Sequence, residues 1–288
     1  MTFPRELGDW VPLRSDVHAL DPDVVYTHVE GTPLRYDRYR PVAATGPTPV
    51  LVFVHGGSWA RGDPSHAGPN AVRFARMGIT TISVSYRLAP AHRFPAQLED
   101  VLRGLRHVLR HARELSVDPE RLALGGMSAG SYLALLAHVT PGISALAAAL
   151  PADLVDAARR IRALVLQQGP YDLANRTPYA DGTDPIANLL GPRGDDEAWV
   201  RTVSPVHHVE HVTAPVLLVH GTADDVVRPR QSERLHRQLA DAGKPCELLL
   251  VEGAGHAFQL AWESEANQRS NAAMEDFLAR HLLGEAGT

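Results

Sequence analysis

From about residue 50 onward, short uninterrupted apolar runs alternate with longer stretches of helical periodicity, and this beat restricts the fold more than any other feature. Val50-Leu-Val-Phe-Val54 is the first run, bounded by Pro49 and a glycine pair; Ile79–Ser85, Arg121–Leu124, Arg162–Gln167, Pro215–His220 and Cys246–Val251 follow. A strand that is apolar on both faces must be covered on both, which is the position of a central strand in a parallel sheet. Helical patterns fill the gaps. One lies near Ala71–Met77, and one opened by Pro95 sets Leu98, Val101, Leu102, Leu105, Val108 and Leu109 along a single face. Others run to about Val139, from Arg230 to Ala242 where Gly243 closes the helix, and from about Ser264 to Leu283. Strands alternating with helices imply right-handed crossovers. The expectation is an α/β fold whose mostly parallel central sheet has about eight strands and helices on both faces.

Two segments stand outside the beat. Residues 1–48 read as an N-terminal arm and an antiparallel edge hairpin, with Val24–Glu30 and Leu34–Arg40 joined around Gly31-Thr32. Residues 168–214 carry Gly, Pro and Asp throughout, including Asp181-Gly-Thr-Asp-Pro185 and Gly191-Pro-Arg-Gly194. A loop of that length inside a compact domain usually has a function. The sharper reading is a lid over an active site, and the plainer one is a surface excursion of a single domain spanning residues 1–288.

Composition removes several function classes. With 44% hydrophobic and 21% charged residues the chain is globular, not disordered. Lys and Arg number 28 against 33 Asp and Glu, a net charge of −5 with no basic block, so nucleic acid is not an expected partner. The longest apolar stretch, Ile143 to Leu150, is stopped by Pro151, far short of the ~20 residues a membrane-spanning helix needs. Charges occupy the stretch from Met1 to Asp9 where a signal peptide carries its apolar core. The lone Cys246 makes no internal disulfide and reads as a small core residue of an apolar strand. A cytoplasmic protein that does not enter membranes is expected.

The residues able to do chemistry follow the runs. Gly126-Met127-Ser128-Ala129-Gly130 sits at a strand-to-helix turn. A turn that tight needs small flanking residues, thrusts the serine hydroxyl above the sheet, and aims the Ala129 amide and a helix N-terminus at a developing negative oxygen. The plain alternative is a helix-capping serine. Serine is a poor nucleophile without a base and an orienting acid. Asp224 and Asp225 come just past the run ending at His220, and His256 follows the last run on a glycine-rich loop. Ser, then Asp, then His is the chain order that a hydrolase of this sheet type uses. The residues alone do not separate Asp224 from Asp225. His55-Gly56-Gly57-Ser58-Trp59 completes the set, because two glycines let backbone N–H groups approach a tetrahedral oxygen, each donor being worth ~3–4 kcal/mol. His55 reads as an organiser of that loop, and Trp59 as a pocket wall or a core aromatic.

Taken together these stretches resemble the α/β-hydrolase superfamily, within the hormone-sensitive-lipase-like and feruloyl-esterase-like carboxylesterase group. The resemblance rests on His55–Trp59, Val84-Ser-Tyr-Arg-Leu-Ala-Pro90 with Phe94-Pro95, Asp118-Pro-Glu-Arg121, Gly126–Gly130, His220-Gly-Thr-Ala-Asp224 and Gly255-His256, covering about residues 50 to 258. It implies an α/β-hydrolase fold with nucleophile Ser128, acid Asp224 and base His256. The oxyanion amides are then those of Gly56, Gly57 and Ala129. Asp224-Asp-Val-Val227 is similar to the formamidase and feruloyl-esterase branch. Met127 takes a position more often polar and joins Trp59 in the implied substrate pocket, while Ser131 replaces a common glycine. The implied activity is a serine carboxylesterase acting on small or medium esters. An arylformamidase or acyltransferase using the same residues is the alternative, and a non-catalytic hydrolase-like binding protein the rival class.

No cofactor is implied. His207-His208-Val-Glu-His211 has metal-like i, i+4 spacing but lacks the zinc-protease pattern, so no metal is expected. Arg103, Arg106, Arg110 and Arg113 read as the solvated face of the helix after Pro95. The expected partner is a small-molecule ester or amide, with a homodimer through the open sheet edge near the last strand as the further option.

Overall fold

Thr48–Val54 is buried at every position, as an apolar run flanked by Pro and Gly should be when it lies mid-sheet. The computed structural model describes residues 15–175, 182–260 and 264–284. Its eight strands are β1 (His18–Val29), β2 (Thr32–Pro41), β3 (Thr48–Val54), β4 (Thr80–Val84), β5 (Val117–Met127), β6 (Ala163–Gln167), β7 (Val216–Gly221) and β8 (Cys246–Val251). They form one sheet in the order β1-β2-β4-β3-β5-β6-β7-β8. β1 and β2 pair antiparallel, as do β2 and β4, and every pair from β4·β3 to β7·β8 is parallel. The edge hairpin turns at Glu30 and Gly31, both at positive φ (50° and 79°), the conformation a tight two-residue turn demands. β1 bulges between Asp21 and Val24, which lets an edge strand carry Pro22.

Alternation along the central strands splits the core into two layers. Val50, Val52, Val54, Leu122, Leu124, Leu164, Leu166, Val216 and Leu218 face one side. That side is covered by α2 (Ala96–Arg110), α3 (Ala129–Val139), α5 (Ala152–Ala158) and α8 (Arg230–Asp241). Leu51, Phe53, Ala123, Val165, Leu217 and Val219 face the other, beneath α1 (Gly68–Arg76) and α9 (Glu265–Leu278). The expected inner face of α2 is buried at Leu98, Val101, Leu102, Leu105 and Val108, with Leu109 partly covered. α4 (Ser144–Ala149), α6 (Pro185–Leu190) and α7 (Glu197–Thr202) complete the set.

Four boundaries differ from the sequence reading. β5 begins at Val117 and runs through Met127, because Val117 pairs with Thr48 across a register shift and Gly125 and Gly126 pair with β3 and β6. α2 stops at Arg110, so Arg113 lies in the following turn and not on the helix. Residues 264–283 are not one regular helix; α9 ends at Leu278 and a π-turn spans Ala279–Leu283 before Gly284 at φ 76°. The 168–214 segment is no bare loop either. α6, α7 and 3-10 turns over Gly191–Asp195, Pro205–His207 and Val209–His211 insert Ile186, Leu189, Val200, Val203 and Val206 into the main core. Residues 176–181 of that segment and residues 1–14 of the N-terminal arm lie outside the described residues. Among the described residues, no helix is long and apolar enough to cross a membrane.

Parallel strands end on one side of the sheet. The loops after β3, β5, β7 and β8, which carry His55–Trp59, Ser128, Asp224 and His256, therefore share one rim.

Candidate active site

Ser128 joins β5 to α3 with φ 53° and ψ −120°, a conformation that a non-glycine residue holds only when its surroundings enforce it. The enforcement is visible. Its amide donates to the Gln167 carbonyl at the end of β6 (2.7 Å), and its carbonyl accepts from Tyr132 N (3.1 Å) in the first turn of α3. A Cβ on Gly130 would lie 2.1 Å from the Val54 carbonyl oxygen, so the turn packs directly on the end of β3.

The three residues predicted to act together do meet. His256 Nε2 lies 3.0 Å from Ser128 Oγ, and His256 Nδ1 lies 2.7 Å from Asp224 Oδ2. Asp224 is the carboxylate that reaches the ring; Asp225 is exposed beside it. The other Asp224 oxygen, Oδ1, accepts from the amides of Val226 (3.0 Å) and Val227 (2.9 Å). Burial by itself would raise this carboxyl, but hydrogen bonds from His220 and His256 outweigh it and hold the group well below the usual carboxylate range. An ionised Asp224 draws the ring proton to Nδ1 and leaves the Nε2 lone pair for the Ser128 hydroxyl.

Across from the serine, Gly57 has φ 116°, and a Cβ there would sit 2.1 Å from the Arg61 carbonyl oxygen. Its own carbonyl accepts from Ala60 N (3.1 Å) and Arg61 N (3.0 Å), closing the loop. His55 organises it: Nδ1 donates to Gly56 O (2.8 Å), and Tyr86 stacks on the ring at 4.3 Å while donating to His55 O. Burial lowers the His55 ring to about 4, so it stays neutral at pH 7 and braces the loop. The amides of Gly56, Gly57 and Ala129 have no backbone acceptor among the described residues, and Ala129 heads the 11-residue α3.

Two clefts flank Ser128. One, about 570 Å³ including its open mouth, is walled by Trp59, Ala129, Ile186 and Val227. The other, about 750 Å³ on the same measure, is walled by Gly56, Gly57, Met127, His256 and Leu260. Trp59 lines the first cleft, and its ring also packs edge-on against buried Tyr132 at 5.3 Å. Pro185 and Ile186 bring the 168–214 segment to the first cleft.

Some supporting residues were not assigned from the sequence. Buried His220 lies 3.2 Å from Asp224 Oδ2 and donates from Nε2 to Val227 O (2.8 Å), so its Nδ1 accepts from Ser232 Oγ (2.7 Å). Gln168, at φ 52°, is buried with its amide oxygen accepting from Ala257 N (2.6 Å) and its nitrogen donating to Gln259 Oε1 (2.9 Å). It thereby ties the end of β6 to the residue after His256. Replacing Gln168 by Ala should lower kcat by about 10²-fold with little change in KM, because a histidine displaced by ~1 Å loses its line to the serine. Steady-state kinetics with a retained melting temperature checks this. The only local hint in the sequence is its place directly after a buried strand. Ser131, noted there as a departure, contacts Tyr171 Oη at 2.8 Å.

The remaining signals lie elsewhere. His207 and His211 do not share a helical face, because residues 205–211 form two 3-10 turns and His207 turns toward Asp172 (4.0 Å). His208, Glu210 and His211 bring potential ligand atoms within 4.8 Å of one another, yet none of them lines either cleft. The half-buried Cys246 thiol is pushed up to about 12 by burial, which suits a packing residue.

Comparisons with known proteins agree with this architecture. The chain is 32% identical over 222 residues to "Esterase LipC" of Mycobacterium tuberculosis, covering 75% of this chain and 54% of that protein. It thus spans about half the length of the curated relatives it matches. Among solved structures, the native esterase Est2 of Thermogutta terrifontis superposes with a TM-score of 0.74 at 26% identity, over 92% of this chain and 94% of that one. The same organism's esterase 2 "phosphorylated by paraoxon" gives 0.74 at 25%, over 94% and 96%. A family model described as "TAP-like protein" matches residues 197–284. The model described as BD-FAE matches residues 36–239, most of the chain and all of the rim except His256, and the chain belongs to the BD-FAE family on an α/β-hydrolase fold.

Proposed function

We propose that this chain is a serine hydrolase that cleaves carboxylic esters of small or medium size through an acyl-enzyme, with Ser128 as nucleophile, His256 as base and Asp224 as orienting acid. One observation carries the reading: the hydrogen-bonded line from Asp224 through His256 to Ser128, at 2.7 and 3.0 Å, facing three amides without backbone acceptors among the described residues. Ser128 Oγ attacks the ester carbonyl carbon as its proton passes to His256 Nε2. The carbonyl oxygen becomes an oxyanion held by the N–H groups of Gly56, Gly57 and Ala129. Collapse breaks the bond to the alkoxy oxygen, which takes the proton from His256 and departs. Water, deprotonated by the same nitrogen, then attacks the acyl carbon, and the proton returns to Ser128 as the acid leaves. Asp224 stays ionised throughout and offsets the imidazolium charge.

The esterase names of the relatives support this activity, and the neighbour phosphorylated by paraoxon supports a nucleophile open to organophosphates. Residues 168–214 act as a short lid within one domain, on the strength of Pro185 and Ile186 at the cleft. The open edge of β8 is the place for a second copy to pair, and the single unpaired cysteine suits a cytoplasmic setting.

The test is labelling by a fluorophosphonate probe beside turnover of neutral esters of graded chain length and of N-formylkynurenine. Wild-type protein should gain one adduct on Ser128 and cleave short esters fastest. Faster cleavage of N-formylkynurenine would favour an arylformamidase, and an excess of amide product over free acid with an added amine would favour acyl transfer. Absence of both label and turnover would leave a binding protein.

A further inference from the structure

The first cleft carries a feature that ester cleavage alone does not require. Arg228 and Arg230 line it together with Ser128, Arg228 on the segment between β7 and α8 and Arg230 as the first residue of α8. Neither has a carboxylate within 4.0 Å among the described residues, whereas Arg234, one turn further along, is ion-paired with the buried Asp172. Among the described residues, no Asp or Glu lines either cleft. Asp225, the nearest acid in the loop, is outside both linings. On a chain of net charge −5 the mouth of the site is locally cationic.

The direction of the reaction assigns this charge to one half of the substrate. The leaving oxygen must collect its proton from His256 Nε2, and His256 lines the second cleft but not the first. The alkoxy group therefore lies along Met127 and Leu260, and the acyl chain extends into the first cleft. There it meets apolar surface from Trp59, Ile186 and Val227 before reaching the two guanidinium groups, both exposed toward solvent. An acyl group with a short methylene chain and a terminal anion matches that order, because guanidinium groups pair with carboxylates through charge-assisted hydrogen bonds.

We infer that the acyl pocket selects esters whose acyl part ends in a carboxylate, that is, half-esters of short dicarboxylic acids, with Arg228 and Arg230 as the specificity-determining residues. The inference rests on the hydrolase reading above and adds the substrate class. It is tested with the 4-nitrophenyl esters of hexanoate and of hydrogen glutarate, corrected for spontaneous hydrolysis, on the full chain. The ratio of kcat/KM, glutarate over hexanoate, should fall about ten-fold from wild type to R228Q/R230Q, the size of one hydrogen bond to a charged group. R228K/R230K should retain part of the preference, and 0.5 M NaCl should erode it in wild type, as screening of exposed charges requires (Debye length roughly 4 Å at that salt). Hexanoate turnover with a ratio that neither the Gln substitutions nor salt alters overturns the inference and leaves the hydrolase standing. Turnover of neither ester, with no label on Ser128, sinks both.

Discussion

Ser128→Ala should lower kcat for a neutral short-chain ester by about 10⁶-fold and abolish fluorophosphonate labelling, while leaving the melting temperature within a few degrees of wild type. The large effect follows from the site's geometry. With no hydroxyl 3.0 Å from His256 Nε2 there is no atom to acylate, and the remaining amides stabilise only water's slow direct attack. The small effect follows from packing. The Ser128 backbone bonds to Gln167 and Tyr132 do not involve the side chain, and alanine fits wherever the serine does. Circular dichroism, mass spectrometry after labelling and steady-state kinetics suffice. Residual turnover above a hundredth of wild type in the pure variant would remove Ser128 from the reaction.

Asp224→Asn should lower kcat by about 10⁴-fold, whereas Asp225→Asn should change it by less than about two-fold. The asparagine is nearly isosteric, so the loop survives, but it no longer supplies the anion that keeps the His256 proton on Nδ1. The ring turns its acceptor nitrogen away from the serine, or its cation goes unbalanced. Asp225 is exposed and does not face the ring. The same change bears on pH. Folding holds the Asp224 carboxyl below its ordinary value of 3.8, so its ionised form stabilises the native state above that value, and this contribution fades only as pH falls further. A decline in kcat/KM between pH 5 and 7 therefore does not arise from Asp224. Equal losses in the two variants would overturn the assignment of the acid.

Much of the frame was open to reading because its signals are short-range. Val50–Val54, Ala163–Gln167 and Val216–Gly221 declare themselves by unbroken apolar character. α2 declares itself by the 3.6-residue spacing of Leu and Val, and α8 by its closure at Gly243, φ 68°. What misled were places where distant partners decide a boundary. Val117 to Glu120 look like a turn after Ser116 until Thr48 pairs with Val117. The Gly- and Pro-rich 168–214 stretch looked like bare loop because its apolar residues are too widely spaced for a period, although the core takes in Ile186, Leu189 and Val203 one by one.

The amino-acid sequence by itself determined the parallel-sheet class, the tight turn that presents Ser128, and the order in which serine, acid and histidine appear along the chain. The turn is encoded within a few residues by the steric needs of glycine, the sheet class by short apolar runs that each declare themselves locally, and the order by the linear chain itself. Only the tertiary structure decided that Asp224 and not Asp225 meets His256, that His220 and Gln168 hold those two in place, and that Arg228 and Arg230 share a cleft with a serine about a hundred positions earlier. Those facts depend on which strand lies beside which and on how far each loop reaches past the sheet, and no local stretch of chain carries that information.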